Sequence, residues 1–367
     1  MALLHTESFD WCTSLTALGT RYDSISVSGL GSSYGRTNNG LFIQSYTRYL
    51  TTRALPASGT TCIIGVALKI TDLVGRGGQP GLFSIIEGTT AHLTLVIDST
   101  GHLVLKRGDY TGTTLGTSSV ILSMNVFLYL ELKAVIHDTT GSYTVRVNGT
   151  TFGGLTGSSM DTRNGGSGTW DHVTLGGSLE NGYQYYDDWY ICDGSGSVNN
   201  DFLGDIQIRC ILPQTDAVGG IGSSAQFALS TGSDQGALVD EAEPNGDTDY
   251  VYDTTAGHAV TFNYPAVGIN GTVKGLTVLP YLKKTDAGAR QVTTVARVSG
   301  TTYDAGSSIS PETNYVCQPQ IWERSPATNS AWTVSEIDSA EFGLKITDPI
   351  GVPLLASATT LYTPTVS

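Results

Sequence analysis

Apolar and polar positions alternate along much of this chain. Leu128, Leu130, Leu132, Ala134 and Ile136 interleave with Phe127, Tyr129, Glu131, Lys133 and Val135. A period of two places the first set on one side of a strand, so the run predicts a strand with one core face. Asp138-Thr-Thr-Gly141 then turns the chain, Tyr143, Val145 and Val147 alternate with Thr144 and Arg146, and Asn148-Gly149 turns it again. That is the grammar of an antiparallel meander. HLTLVIDSTGHLVLKRG repeats it, with two apolar strands around Asp98-Ser-Thr-Gly101, and in the second half Tyr315, Cys317 and Ile321 alternate with Val316, Gln318 and Trp322. Helix-period stripes, heptads and repeats of domain-building length are missing from the sequence. The pattern predicts an all-β protein.

Composition agrees and narrows the partners. Forty-five glycines and 14% charged residues suit short strands joined by tight turns. Nineteen Lys and Arg against 33 Asp and Glu leave a formal charge of −14. With no basic run, such a chain repels a phosphate backbone, so nucleic acid is not an expected partner. The opening MALLHTESFDWC lacks the basic and apolar regions of a signal peptide, which predicts folding in a cytosol. The longest run without Gly or Pro, 117–140, carries Asn125, Glu131 and Lys133, so no membrane insertion is expected. Cys12, Cys62, Cys192, Cys210 and Cys317 are scattered and odd in number, which predicts free, mostly buried thiols.

A length of 367 residues allows two domains. The best boundary lies in Leu212-Pro-Gln-Thr-Asp-Ala-Val-Gly-Gly220, where strand-like IQIRCIL meets a proline and two glycines. The expected division is 1–213, a second block 214–347, and an extended tail 348–367 whose DPIGVPLLASATTLYTPTVS lacks alternation.

Residues 145–193 hold the most informative wording. Val145 and Val147 precede Asn148-Gly149, Val173-Thr-Leu-Gly176 follows, and Asp187-Asp188-Trp189-Tyr190-Ile191 closes the run. This order resembles the last strands of laminin-G and concanavalin-like jelly rolls. The resemblance implies two tandem antiparallel β-sandwich (jelly-roll) domains, the first of this lectin type. It also directs attention to aromatic residues, because sugar-binding sandwiches stack pyranose rings on exposed aromatic faces. Trp170, Tyr183 and Tyr185 are the candidates for carbohydrate binding, with filling of the core as the alternative for such residues. Asp187 and Asp188 are the candidates for Ca²⁺, a cation that takes six to eight oxygen ligands. Neither they nor Asp247 with Asp249 completes a calcium loop, so solvated turn carboxylates and no cofactor remain the plainer expectation.

Further along, CDGSGSVNNDFLGDIQIRCILP, EAEPNGDTDYVYD, YLKKTDAGAR and IWERSPATNSAWTVSEIDSAEFGLKI occur in that order. Together they resemble virion structural or minor tail proteins of tailed bacteriophages and prophages, over roughly residues 7–346. The resemblance implies an accessory component of the tail, tail tip, fibre or capsid surface, made in the bacterial cytoplasm and located in the virion. Its implied partners are other virion proteins, further copies of itself and a host-surface glycan.

Glu336-Ile-Asp-Ser-Ala-Glu341 points elsewhere. The spacing resembles the catalytic signature of laminarinase and agarase-type β-glucan hydrolases, in which a retaining pair of carboxyls sits about 5–5.5 Å apart. That chemistry needs Glu336 and Glu341 on one strand facing a cleft. AWTVSEIDSAEFGLKI instead predicts a helical turn capped by Ser335, with the strand resuming at Phe342 and Glu336, Asp338 and Glu341 facing solvent. The expectation is a non-enzyme.

Overall fold

The alternating runs fold as strands and the turns fall where Asx-Gly and Asp-x-x-Gly place them. In the computed structural model, which describes residues 2–44, 48–57, 59–73, 80–177, 182–216, 226–269, 271–348 and 354–366, Leu128–Val135 pairs antiparallel with Gly141–Val147. Gly141–Val147 turns through Asn148 and Gly149, at φ 50° and 79°, into Thr150–Met160. Two successive left-handed residues suit a tight hairpin, and Asn-Gly adopts them at least cost. Between Thr90–Ile97 and His102–Arg107, Asp98 Oδ1 accepts from the N–H groups of Thr100 and His102 at 2.8 and 3.0 Å.

The chain divides into two compact units. Met1–Asp10 with Tyr22–Ile206 form the first, and Trp11–Arg21 with Gln207–Ser367 form the second. The division falls at Ile206, and part of the glycine-bearing run expected as the boundary, 217–220, lies outside the described residues.

The first unit is an antiparallel sandwich. One sheet runs in the order Thr150–Met160, Gly141–Val147, Leu128–Val135, Thr61–Asp72, Tyr183–Asp193, Gly40–Gln44 and Gly29–Gly31, with Leu3–Glu7 also paired to Tyr183–Asp193. The other runs Thr113–Ile121, His102–Arg107, Thr90–Ile97, Gly81–Glu87, His172–Gly176, Tyr49–Thr52 and Tyr22–Ser26. Val66, Leu68, Leu130, Leu132, Leu93, Leu95 and Leu105 are buried in its core. Polar groups also join the sheets: Tyr186 Oη donates to Leu82 O at 2.9 Å, and Gln184 Nε2 donates to Gly81 O at 3.1 Å. Buried polar groups need such partners, and these two fix how the strands face each other.

The second unit is also all-β. Its smaller sheet runs Thr215–Asp216, Ala259–Asn263, Glu341–Asp348, Gln291–Val298 and Thr301–Asp304, and its larger one is built around Leu276–Lys284. Val260, Phe262, Phe342 and Leu344 from the first of these meet Leu276, Val278 and Leu282 from the other in one core. Of the residues read as an extended tail, 349–353 and 367 lie outside the described residues, and Leu354–Val366 is a strand of the larger sheet, pairing with Leu276–Lys284, Val251–Asp253 and Thr272–Val273. Trp11–Arg21 carries the short helix Leu15–Gly19, whose capping Ser14 side chain accepts from the Ala17 N–H at 3.1 Å. None of the five cysteines forms a disulfide, and four of them are buried. No helix among the described residues is long and apolar enough to cross a membrane.

Candidate functional site

On Tyr183–Asp193 the period of two sends Gln184 and Tyr186 into the core and Tyr183 and Tyr185 to the outer face. Pairing then assembles a row that no single stretch of sequence contains. Tyr185 lies opposite Phe42 on one neighbouring strand and Lys69 on the other. Leu128 lies opposite Leu68, which sets Phe127 beside Lys69 one strand further on. The Phe42 and Tyr185 rings stack with centroids 4.9 Å apart at 27°. Tyr34 stacks on Phe42 at 5.0 Å and 18°, and Tyr183 meets Phe42 edge-on at 5.8 Å and 81°. Gly29 makes the room for Tyr34, since a Cβ there would lie 2.8 Å from its ring. Gln44 Nε2 donates to Tyr183 Oη at 2.9 Å. Lys69 Nζ completes the row, 4.4 Å from the Tyr185 ring centroid and 4.8 Å from that of Phe127. Tyr34, Phe42, Tyr183, Tyr185, Lys69 and Phe127 are all half-buried. The result is a cluster of stacked aromatic rings that carries three phenols, with an amide and an ammonium beside it.

The rest of this outer face is filled by a polar network. Glu131, on the side of its strand expected to face water, is buried. It accepts from Tyr190 Oη at 2.6 Å and from the Gly204 N–H at 2.9 Å, and burial raises its pKa. Arg146 stacks over Phe202 at 4.0 Å, and Lys133 pairs with Asp201 at 3.0 Å. Residues 201–204 thus cover this part of the face and leave the aromatic strip beside them.

Of the residues expected to bind carbohydrate, Tyr183 and Tyr185 belong to the strip and Trp170 does not. Trp170 is 2% exposed and its indole N–H donates to Thr61 O at 2.9 Å, so it is a core residue with no ring face to offer. Tyr34, Phe42 and Lys69 were missed. Phe42 sits between Leu41 and Ile43 in an apolar strand, and only strand order reveals which of the three faces outward beside Tyr185.

Asp187 and Asp188, expected as turn carboxylates or calcium ligands, are neither solvated nor free, being 1% and 0% exposed. The strand bulges here, with Asp188 at φ 46° and a register shift between Asp187 and Tyr190. Arg36 occupies both groups. Its backbone N–H donates to Asp187 Oδ2 at 2.7 Å, and its guanidinium pairs with Asp188 Oδ2 at 2.7 Å while also reaching Asp205. Burial, then the charge of Asp188, pushes the Asp187 carboxyl well above the ordinary carboxylate range. Among the described residues no group of three or more His, Cys, Asp or Glu is arranged to hold a metal ion.

The EIDSAE carboxylates do not converge. Val334–Ser339 is a helical turn, but Thr333 rather than Ser335 is its cap, with its side chain accepting from the Glu336 N–H at 3.2 Å. Glu336 is hydrogen-bonded by Ser325 Oγ, and exposed Asp338 accepts from the Val267 N–H at 2.9 Å. Glu341, expected in solvent, is buried as the first residue of the Glu341–Asp348 strand. Arg297 at 2.8 Å and Thr261 Oγ1 at 2.7 Å hold it there, and that pairing is what permits the burial.

No protein-family model matches the chain, and no curated protein does. Among solved structures it is similar to Cellulose induced protein Cip1, at 13% identity over 51% of this chain and 96% of that one, with a TM-score of 0.40. It is also similar to Trypanosoma rangeli sialidase, at 15% identity over 42% of this chain and TM-score 0.31, and spans 25% of the length of that enzyme. A third is the carbohydrate binding module CBM66 from Bacillus subtilis, at 8% identity over 46% of this chain and 92% of that one, with TM-score 0.31.

Proposed function

We propose that the chain is an accessory bacteriophage virion protein whose first sandwich holds a host-surface saccharide on the Tyr34–Phe42–Tyr185 strip without cleaving it. The observation that carries the binding reading is the stacked, half-buried pair Phe42 and Tyr185, with centroids 4.9 Å apart, edged by Tyr183 and Lys69. A pyranose presents an apolar C–H face and a rim of hydroxyls, and a half-buried aromatic cluster with polar groups beside it offers partners for both. The separate engagement of Glu336 and Glu341 supports binding without hydrolysis. The virion setting rests on the resemblance of CDGSGSVNNDFLGDIQIRCILP and the runs after it to phage tail and virion proteins. Other virion proteins and further copies of the chain are its partners there.

The test is an array of bacterial surface polysaccharides probed with the full chain, followed by titration calorimetry on the glycans that bind. Phe42→Ala and Tyr185→Ala each remove a stacking contact of about 1 kcal/mol, so each lowers affinity about five-fold. No binding by the parent chain, or an unchanged affinity in the double variant, overturns the binding reading. Absence of the chain from purified particles by mass spectrometry overturns the virion setting.

A further inference from the structure

Several cations of the first unit are paired with carboxylates, and the ammonium in the strip is not among them. Arg36 pairs with Asp188, Arg107 with Asp161, Lys133 with Asp201 and Arg163 with Asp138. In the second unit, Tyr281 and Tyr315 stack at 4.8 Å and 5° with Lys283 over Tyr315, but Lys283 also pairs with Asp247 at 2.7 Å. Lys69 has only rings: among the described residues it makes no hydrogen bond or ion pair, and its Nζ rests over Tyr185 and Phe127. Two π-faces within about 6 Å attract and position an ammonium, yet they neutralise none of its charge and take up none of its N–H donors in ordinary hydrogen bonds.

From this we infer that the strip selects an acidic saccharide, one whose carboxylate pairs with Lys69 while its ring packs against the exposed part of the Tyr185 and Phe42 cluster. The inference rests on the saccharide-binding reading above and specifies its ligand class. Charge complementarity carries it. A chain with a formal charge of −14 repels an anion at long range, so capture of one needs a local unpaired cation placed where the ligand lies. Lys69 meets both conditions, because it shares its cross-strand position with Tyr185, the centre of the strip. Asp187, the next outward residue along the Tyr185 strand, opposes a carboxylate ligand weakly. It is buried, held by the Arg36 N–H, and raised toward its neutral form by that burial.

The experiment measures binding of the full chain to galacturonate, mannuronate–guluronate and hyaluronate oligosaccharides, to the same oligosaccharides after reduction of their carboxyls to alcohols, and to dextran and mannan. The expected result is that acidic forms bind at least ten-fold more tightly than reduced or neutral ones, with an affinity that falls as salt rises. Lys69→Met loses that ten-fold preference and its salt dependence, Lys69→Arg keeps most of both, and thermal melts of the two variants match the parent. Neutral glycans bound as tightly as acidic ones, or an acidic preference intact in Lys69→Met, overturn the acidic-ligand inference while leaving the saccharide reading standing. Binding to none of these and to no polysaccharide on the array overturns both.

Discussion

Three carboxyls, Asp10, Asp187 and Asp188, influence one another around the single guanidinium of Arg36, and the protons of Asp10 and Asp187 therefore respond to folding. Burial is the largest cause of the rise in Asp10, to about 6 from an ordinary 3.8, and outweighs the hydrogen bond from the Asn39 N–H at 2.9 Å. An acid raised on folding binds a proton in the native chain that the unfolded chain has released. Stability from this group is therefore greatest below about pH 4, falls as pH rises toward about 6, and is flat above that. The share belonging to Asp10 is up to about 3 kcal/mol. Asp10→Asn keeps an acceptor for Asn39 and removes the charge, so it is expected to exceed the parent in stability at pH 7 and to match it near pH 4. Urea unfolding at the two pH values checks this, and parallel pH profiles for parent and variant contradict it. The sequence shows the adjacent aspartates but not the arginine, which lies 151 positions from Asp187. That separation is why the pair looked like solvated turn residues or a calcium site and is instead a buried charge network.

Among strands, alternation identifies which side of each faces the core, and it does so well for Leu128–Val135, Gly141–Val147 and the Asp98 hairpin. It does not identify neighbours. Tyr183–Asp193 lies between Thr61–Asp72 and Gly40–Gln44, both more than a hundred positions earlier, so Phe42, Tyr185 and Lys69 become a row only once the sheet is ordered. Nor does alternation show that Tyr129 and Glu131, on the nominally outer side, are covered by later chain. The close fit of that cover depends on Gly65 in the middle of Thr61–Asp72. A Cβ there would lie 2.0 Å from Cε1 of Tyr190, whose hydroxyl donates to Glu131 and accepts the Leu203 N–H at 3.0 Å. Gly65→Ala must displace that ring and strain both hydrogen bonds, at a cost of about 3 kcal/mol. A lowered urea midpoint in the full chain checks this, and an unchanged midpoint shows that the ring yields freely. Space is the constraint here, since Gly65 does not adopt a left-handed conformation.

For the whole molecule, the sequence suggested domains in simple succession, and the fold departs from that in one place. The chain begins the first unit with Met1–Asp10, gives Trp11–Arg21 to the second, and returns to the first at Tyr22. Nothing in the composition of those eleven residues marks the excursion. Within the second unit the segment is fastened by specific contacts. The Thr13 N–H donates to Glu243 at 3.1 Å, Ser14 Oγ also donates to Glu243, and the Cys317 N–H donates to Thr20 O at 3.2 Å. Each such hydrogen bond contributes about 1 kcal/mol net. A fragment beginning at Gln207 therefore lacks part of its own structure. It is expected to be less stable than the same residues in the full chain by about 2–3 kcal/mol, and to recover most of that when 11–21 is joined to it through a flexible Gly/Ser linker. Hydrogen exchange of the core amides of Gln291–Val298 and Glu341–Asp348 compares the three proteins directly. Equal protection in the unaided fragment would mean that the segment rests on the second unit without supporting it, and its hydrogen bonds to Glu243 would then need another explanation.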